Sequence, residues 1–124
     1  MPKVSKNSVK PGTDMPGREW VSELDGYSTS IVEVDADTDL SPLLQGLPND
    51  QCPSPHWGYV FKGRMWFRSN GKDEVFEPGD AFYIGPGHTS GADAGSEFVV
   101  FSPSEVMNEV EAHMGRRAQE LFGH

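Results

Sequence analysis

The sequence predicts an all-β protein: a single closed barrel or jelly roll, preceded by an N-terminal arm and followed by one α-helix. Three observations predict it. Short strand patterns follow one another closely between residues 56 and 101. Gly and Pro, 14 and 10 of the 124 residues, punctuate them and would cut a helical bundle repeatedly. The apolar period then changes from two to about three and a half after residue 102. Closing such strands into a barrel or jelly roll removes the exposed edges they would otherwise present.

The elements can be taken in order. Residues 1–17 are polar with three Pro and form an arm, extended or draped on another subunit. Residues 18–103 make the barrel, with its core motifs in 56–88. Arg18–Leu24 and Tyr27–Val34 are strand-like, and Ile31-Val32-Glu33-Val34 is β-branched. Asp35–Asp50, with Pro42, Gly46 and Pro48, forms a connection. Trp57–Lys62 is the next strand, ended by Gly63. Arg64–Arg68 follows, with Met65 and Phe67 on one face. Ser69-Asn70-Gly71-Lys72 is a hairpin turn, because Asn-Gly tolerates positive φ at both central positions. Asp73–Glu77, the turn Pro78-Gly79-Asp80 and Ala81–Ile84 continue the series. Gly85-Pro86-Gly87-His88 ends that strand, and a small-residue loop runs to Gly95. Glu97–Phe101 is the last strand.

Residues 104–124 are the C-terminal helical segment. Ser102-Pro103-Ser104-Glu105 reads as a capping box, with Ser102 as N-cap, Pro103 first in the helix and Glu105 reaching back. Val106, Val110, Met114 and Leu121 form a rough apolar stripe, so the helix is expected from about 103 to 121. It either folds back on the barrel or joins a dimer.

Composition excludes several functions. Ten basic residues against nineteen acidic ones give a net charge of −9. A nucleic-acid surface would need a basic face, so no nucleic-acid partner is expected. A membrane partner is not expected either: anionic lipid is disfavoured, and no apolar run approaches the roughly 20 residues of a spanning helix. The one cysteine, Cys52, cannot form an internal disulfide. The polar N-terminus lacks the apolar stretch of a secretory signal, and cytoplasmic residence is the default expectation. Asp35-Ala36-Asp37-Thr38-Asp39 begins like a calcium loop, but Leu40 and Gly46 stand where Gly and Glu are needed, leaving an acidic surface stretch. His113 and His124 are expected in solvent.

Residues 56–103 resemble the core of a small cupin. Gly63 closes the first cupin motif, and Pro78-Gly79-Asp80-Ala81-Phe82-Tyr83-Ile84-Gly85-Pro86-Gly87-His88 is similar to the second. The Asn70-Gly71 hairpin sits between them where a cupin has one. Pro55-His56-Trp57-Gly58-Tyr59-Val60-Phe61-Lys62-Gly63-Arg64 is similar to a segment of stand-alone bacterial cupins that also carry a Pro-Gly-His ending. The ligand pattern departs from that of metal-binding cupins. His56 replaces the usual Glu, and Asp50 and Cys52 occupy the two His positions in the shorter register. His88 comes two residues early, and Ser90 stands at the usual ligand position. The resemblance implies a jelly-roll barrel, an internal pocket and a homodimer.

The candidate pocket residues are His56, Gly58, Val60, Met65, Phe67 and His88. Gly58 inside a strand either leaves room for a ligand or marks close packing. Val60, Met65, Phe67, Phe82 and Ile84 suit a core or pocket wall. His56 and His88 suit one divalent transition metal, Zn, Fe, Ni, Mn or Cu, with Cys52 as the third ligand and Asp50 as a weaker choice. Two readings follow. In the first, a small organic molecule binds in the barrel without catalysis, and the two His serve as hydrogen-bonding groups. In the second, a metal-dependent enzyme, such as a small dioxygenase or isomerase, uses His56 and His88.

Overall fold

Alternating apolar and polar residues along short strands, interrupted by turns, build two facing sheets. The computed structural model describes residues 3–7, 11–12 and 17–122. In chain order the elements are β1 (Pro11–Gly12), β2 (Gly17–Leu24), β3 (Tyr27–Val34), β4 (Thr38–Asp39) and α1 (Ser41–Leu44). A 3-10 turn (Pro48–Asp50) leads to β5 (His56–Lys62), β6 (Met65–Ser69), β7 (Lys72–Phe76) and β8 (Ala81–Ile84). β9 (Thr89–Ala92), β10 (Glu97–Pro103) and α2 (Ser104–Phe122) complete the chain. One sheet runs β1-β2-β3-β10-β5-β8 and the other β4-β9-β6-β7, all antiparallel. This is the predicted jelly-roll barrel with a C-terminal helix.

The inner faces supply the core. Val32, Val34, Val60, Met65, Phe67, Phe82, Ile84, Ala92 and Phe98 form one buried cluster drawn from both sheets. The Asn70-Gly71 turn joins β6 to β7 with φ of 52° and 75°, the double positive φ of a type I′ turn. Lys6 of the arm reaches back to its own barrel, pairing with Glu33 at 2.6 Å and Glu97 at 2.7 Å. The remainder of the expected arm lies outside the described residues, apart from 3–7, the backbone of β1 and Gly17; so does His124.

Several expectations need correction. The loop expected from His88 to Gly95 contains β9, which pairs with both β4 and β6. Thr-Ser-Gly-Ala shows no apolar alternation, so pairing from both sides, not local propensity, makes it a strand. The connection 35–50 contains β4, α1 and the 3-10 turn. Ser102 and Pro103 end β10 and do not open the helix. The Ser102 hydroxyl faces inward to His56, so the capping-box reading fails. Leu121 is 42% exposed and leaves the stripe. His113 is half-buried against α1, its Nε2 2.6 Å from the Gln45 carbonyl.

α2 folds back onto its own barrel. Val110 is buried with Leu44 and Cys52, and Val106, Met107 and Met114 pack against them. Arg117 fastens the far end, donating to the Pro42 carbonyl at 3.1 Å and to Gln45 Oε1 at 2.9 Å. No helix among the described residues is long and apolar enough to cross a membrane.

Candidate metal centre and pocket

Three backbone features bring the chemistry-bearing side chains together. His56 opens β5 and faces inward. Cys52 lies four residues earlier, just after the 3-10 turn. The segment at His88 forms an isolated antiparallel bridge with Cys52. In that bridge Cys52 N–H donates to the His88 carbonyl, and Gly87 N–H to the Cys52 carbonyl, both at 2.8 Å. The bridge sets thiol and imidazole side by side although 36 positions separate them in sequence.

The ligand-capable atoms of Cys52, His56 and His88 all lie within 4.8 Å of one another, and all three residues are buried. Cys52 Sγ is 3.5 Å from His56 Nε2. That matches the separation of about 3.5 Å expected for sulfur and nitrogen ligands on one tetrahedral zinc. His88 Nδ1 lies 2.9 Å from the Gly85 carbonyl. A carbonyl only accepts, so Nδ1 carries the proton and Nε2 carries the lone pair. That Nε2 is buried without a hydrogen-bond partner. Asp50 is exposed and accepts from Gly46 N–H at 2.9 Å, so it plays no part in the cluster.

Burial controls the charges here. It pushes the Cys52 thiol up to about 11. It holds His56 down to about 3, with repulsion from His88 adding to the effect. His88 is lowered by its own burial, partly opposed by its bond to Gly85. Both imidazoles are therefore neutral at physiological pH, the state in which they bind metals. An unpartnered ring nitrogen beside a second imidazole and a thiol fits a borderline-soft divalent metal such as zinc.

The cluster forms part of the wall of a cavity of about 320 Å³ between the sheets. Met65, Phe67, His56 and His88 line it. Met107, Val110, Glu111 and Met114 of α2 also line it. Val60 is fully buried in the core and lies outside the lining. Gly58 does not open space either. A Cβ there would collide with the Phe82 ring and the Val99 carbonyl, so close packing requires the glycine. Two features escaped sequence reasoning. Ser102 Oγ lies 2.6 Å from His56 Nδ1, and its signal was the inward alternation of Phe98, Val100 and Ser102 along β10. Glu19 and Glu111 also reach the cavity, from elements with no local sign of a site.

No family model matches the chain, and no curated protein matches it. Solved structures do. KdgF from Halomonas sp. superposes with a TM-score of 0.58 at 20% identity, covering 83% of this chain and 94% of its own. A cupin 2 conserved barrel domain protein from Salinispora arenicola CNS-205 also superposes at 0.58, with 14% identity over 90% of this chain and 97% of its own. The fold is a cupin barrel. The polyketide cyclase RemF from Streptomyces resistomycificus gives 0.58 at 21% identity, covering 83% and 79%. These cupins share the architecture with this chain; their activities remain their own.

Proposed function

We propose that this cupin-fold protein binds a small organic molecule at a single transition metal held by Cys52, His56 and His88. The observation that carries this reading is the buried, unpartnered Nε2 of His88, convergent with Cys52 Sγ and His56 Nε2 at the cavity wall. A buried acceptor left without a partner costs about 1–3 kcal/mol, which a metal bond would recover. Three protein ligands leave a tetrahedral metal one open position, the arrangement of catalytic zinc sites. When bound, the metal would supply Lewis acidity toward a coordinated oxygen or nitrogen.

The residues around it define the ligand. The walls are largely apolar, and no Lys or Arg is among the described lining residues. The pocket suits a mostly apolar molecule with one donor atom for the metal. With Nε2 on the metal the His56 proton would sit on Nδ1, where the Ser102 hydroxyl 2.6 Å away would accept it and keep the Nε2 lone pair directed at the cluster. α2 shields the cavity from water along the side it covers.

A second reading, binding without metal, draws on the 3.5 Å contact itself. A thiol S–H donating to His56 Nε2 satisfies both groups. Elemental analysis of dialysed protein from its own host, alongside His88→Ala, separates the two. About one metal per chain, lost in His88→Ala, supports the metal reading. Absence of metal with an organic molecule retained in native mass spectrometry supports the second.

A further inference from the structure

The three ligand-capable residues stand beside an aromatic wall. Phe67 of β6 lies 5.3 Å from the His88 ring and 6.5 Å from the His56 ring between centres, and it meets His88 edge-on at 80°. Phe76 and Phe82 hold it in place at 5.7 and 5.5 Å, and they stack on one another at 5.0 Å. Phe67 is buried in the core cluster, so packing fixes this wall before any ligand arrives.

Methionines supply the facing material. Met65 reaches the cavity from β6, and Met107 and Met114 reach it from α2. The two α2 methionines are about two helical turns apart and so share one face of the helix. Val110 lies between them and is buried with Cys52, and both methionines pack against that cluster. α2 therefore presents two thioethers at the end of the cavity where the thiol stands. Glu111 of the same helix is turned toward β3, its carboxylate 3.5 Å from the Ser28 hydroxyl.

These walls favour one kind of occupant. Methionine is unbranched and adaptable, and its polarizable sulfur makes favourable contacts with ring edges. A second ring against Phe67 gains offset or edge-on contact beyond simple area burial. A saturated group of equal volume gains neither. At about 320 Å³ the cavity lies near the lower end of the roughly 300–1,000 Å³ of ligand pockets. That limits the occupant to one ring or a fused pair.

We propose that the molecule bound here carries a planar aromatic ring, seated between Phe67 and the Met107–Met114 face of α2. Its class is a small arene bearing an azole nitrogen, a phenol or a thiol as the donor. The proposal rests on the metal reading for that donor atom alone; the ring site is built from residues that bind no metal.

Imidazole, 4-phenylimidazole and 4-cyclohexylimidazole share one donor nitrogen and test it. Each is titrated into the cobalt-loaded full chain and read from the visible spectrum. 4-Phenylimidazole should bind about tenfold more tightly than imidazole and about fivefold more tightly than 4-cyclohexylimidazole. Met107→Leu and Met114→Leu nearly keep the volume and remove the sulfur. Each should lower the preference for phenyl over cyclohexyl by about twofold or more. Circular dichroism and cobalt stoichiometry report that barrel and centre are intact. Equal affinity for the two substituted azoles would overturn the ring site and leave the metal centre standing. So would a preference unchanged in both methionine variants. A chain that binds no cobalt removes the metal reading, and toluene and methylcyclohexane then test the ring site in the metal-free protein. A larger rise in melting temperature with toluene supports it; an equal rise, or none, overturns it.

Discussion

Ser102 Oγ lies 2.6 Å from His56 Nδ1 and joins β10 to β5 across the inner face of the sheet. Because this bond occupies Nδ1, the other ring nitrogen faces Cys52 and the cavity. A hydroxyl in this position orients a metal-binding imidazole without touching the metal.

Ser102→Ala therefore leaves the buried His56 Nδ1 without its hydrogen-bond partner. Stability should fall by about 1–3 kcal/mol, read from the urea midpoint. Metal affinity should fall about 10–100-fold in a competition titration. Unchanged affinity would remove the orienting role.

Stability of the metal-stripped protein should decline with acid. His56 is held down to about 3 in the folded chain, against an ordinary value near 6.5 when unfolded. Between those limits the unfolded chain takes up a proton that the folded chain refuses, so stability is full above about 6.5 and falls as pH drops. The slope from His56 approaches about 1.4 kcal/mol per pH unit, and His88 acts in the same direction. Urea melts at successive pH values should show the decline, and His56→Gln should flatten it. An equal slope in that variant would show that other groups carry it.

Gly58→Ala tests the packing of the barrel against its pocket. The added methyl meets the Phe82 ring and the Val99 carbonyl. A loss of roughly 1–3 kcal/mol is expected in thermal or urea melts. Metal stoichiometry should stay the same, since Gly58 does not line the cavity. A neutral effect on stability would mean the sheet has room there.

How much was legible depends on whether the signal was local. Tyr27–Val34 and Ala81–Ile84 are observed as strands with the predicted limits, because β-branched and aromatic runs ended by turn residues carry their own signal. The Asn70-Gly71 turn was legible for the same reason. β9 was not, since its pairing on both sides is the work of residues distant in sequence. Cys52, His56 and His88 could be named from the order of motifs. Their convergence could not, because it depends on the Cys52–His88 bridge. Ser102 misled: a Ser-Pro-Ser-Glu run has the local pattern of a helix cap, and only the tertiary position of His56 gives its hydroxyl another partner. Gly58 had two local readings, and the position of the Phe82 ring decided between them.

Cobalt substitution tests the central claim most directly. The metal-stripped protein titrated with Co²⁺ should bind one ion per chain and develop a thiolate-to-cobalt charge-transfer band. That band should vanish in Cys52→Ser, and His88→Ala should weaken binding sharply. Folded protein that binds no cobalt, or binds it identically in both variants, would contradict a metal centre at Cys52, His56 and His88.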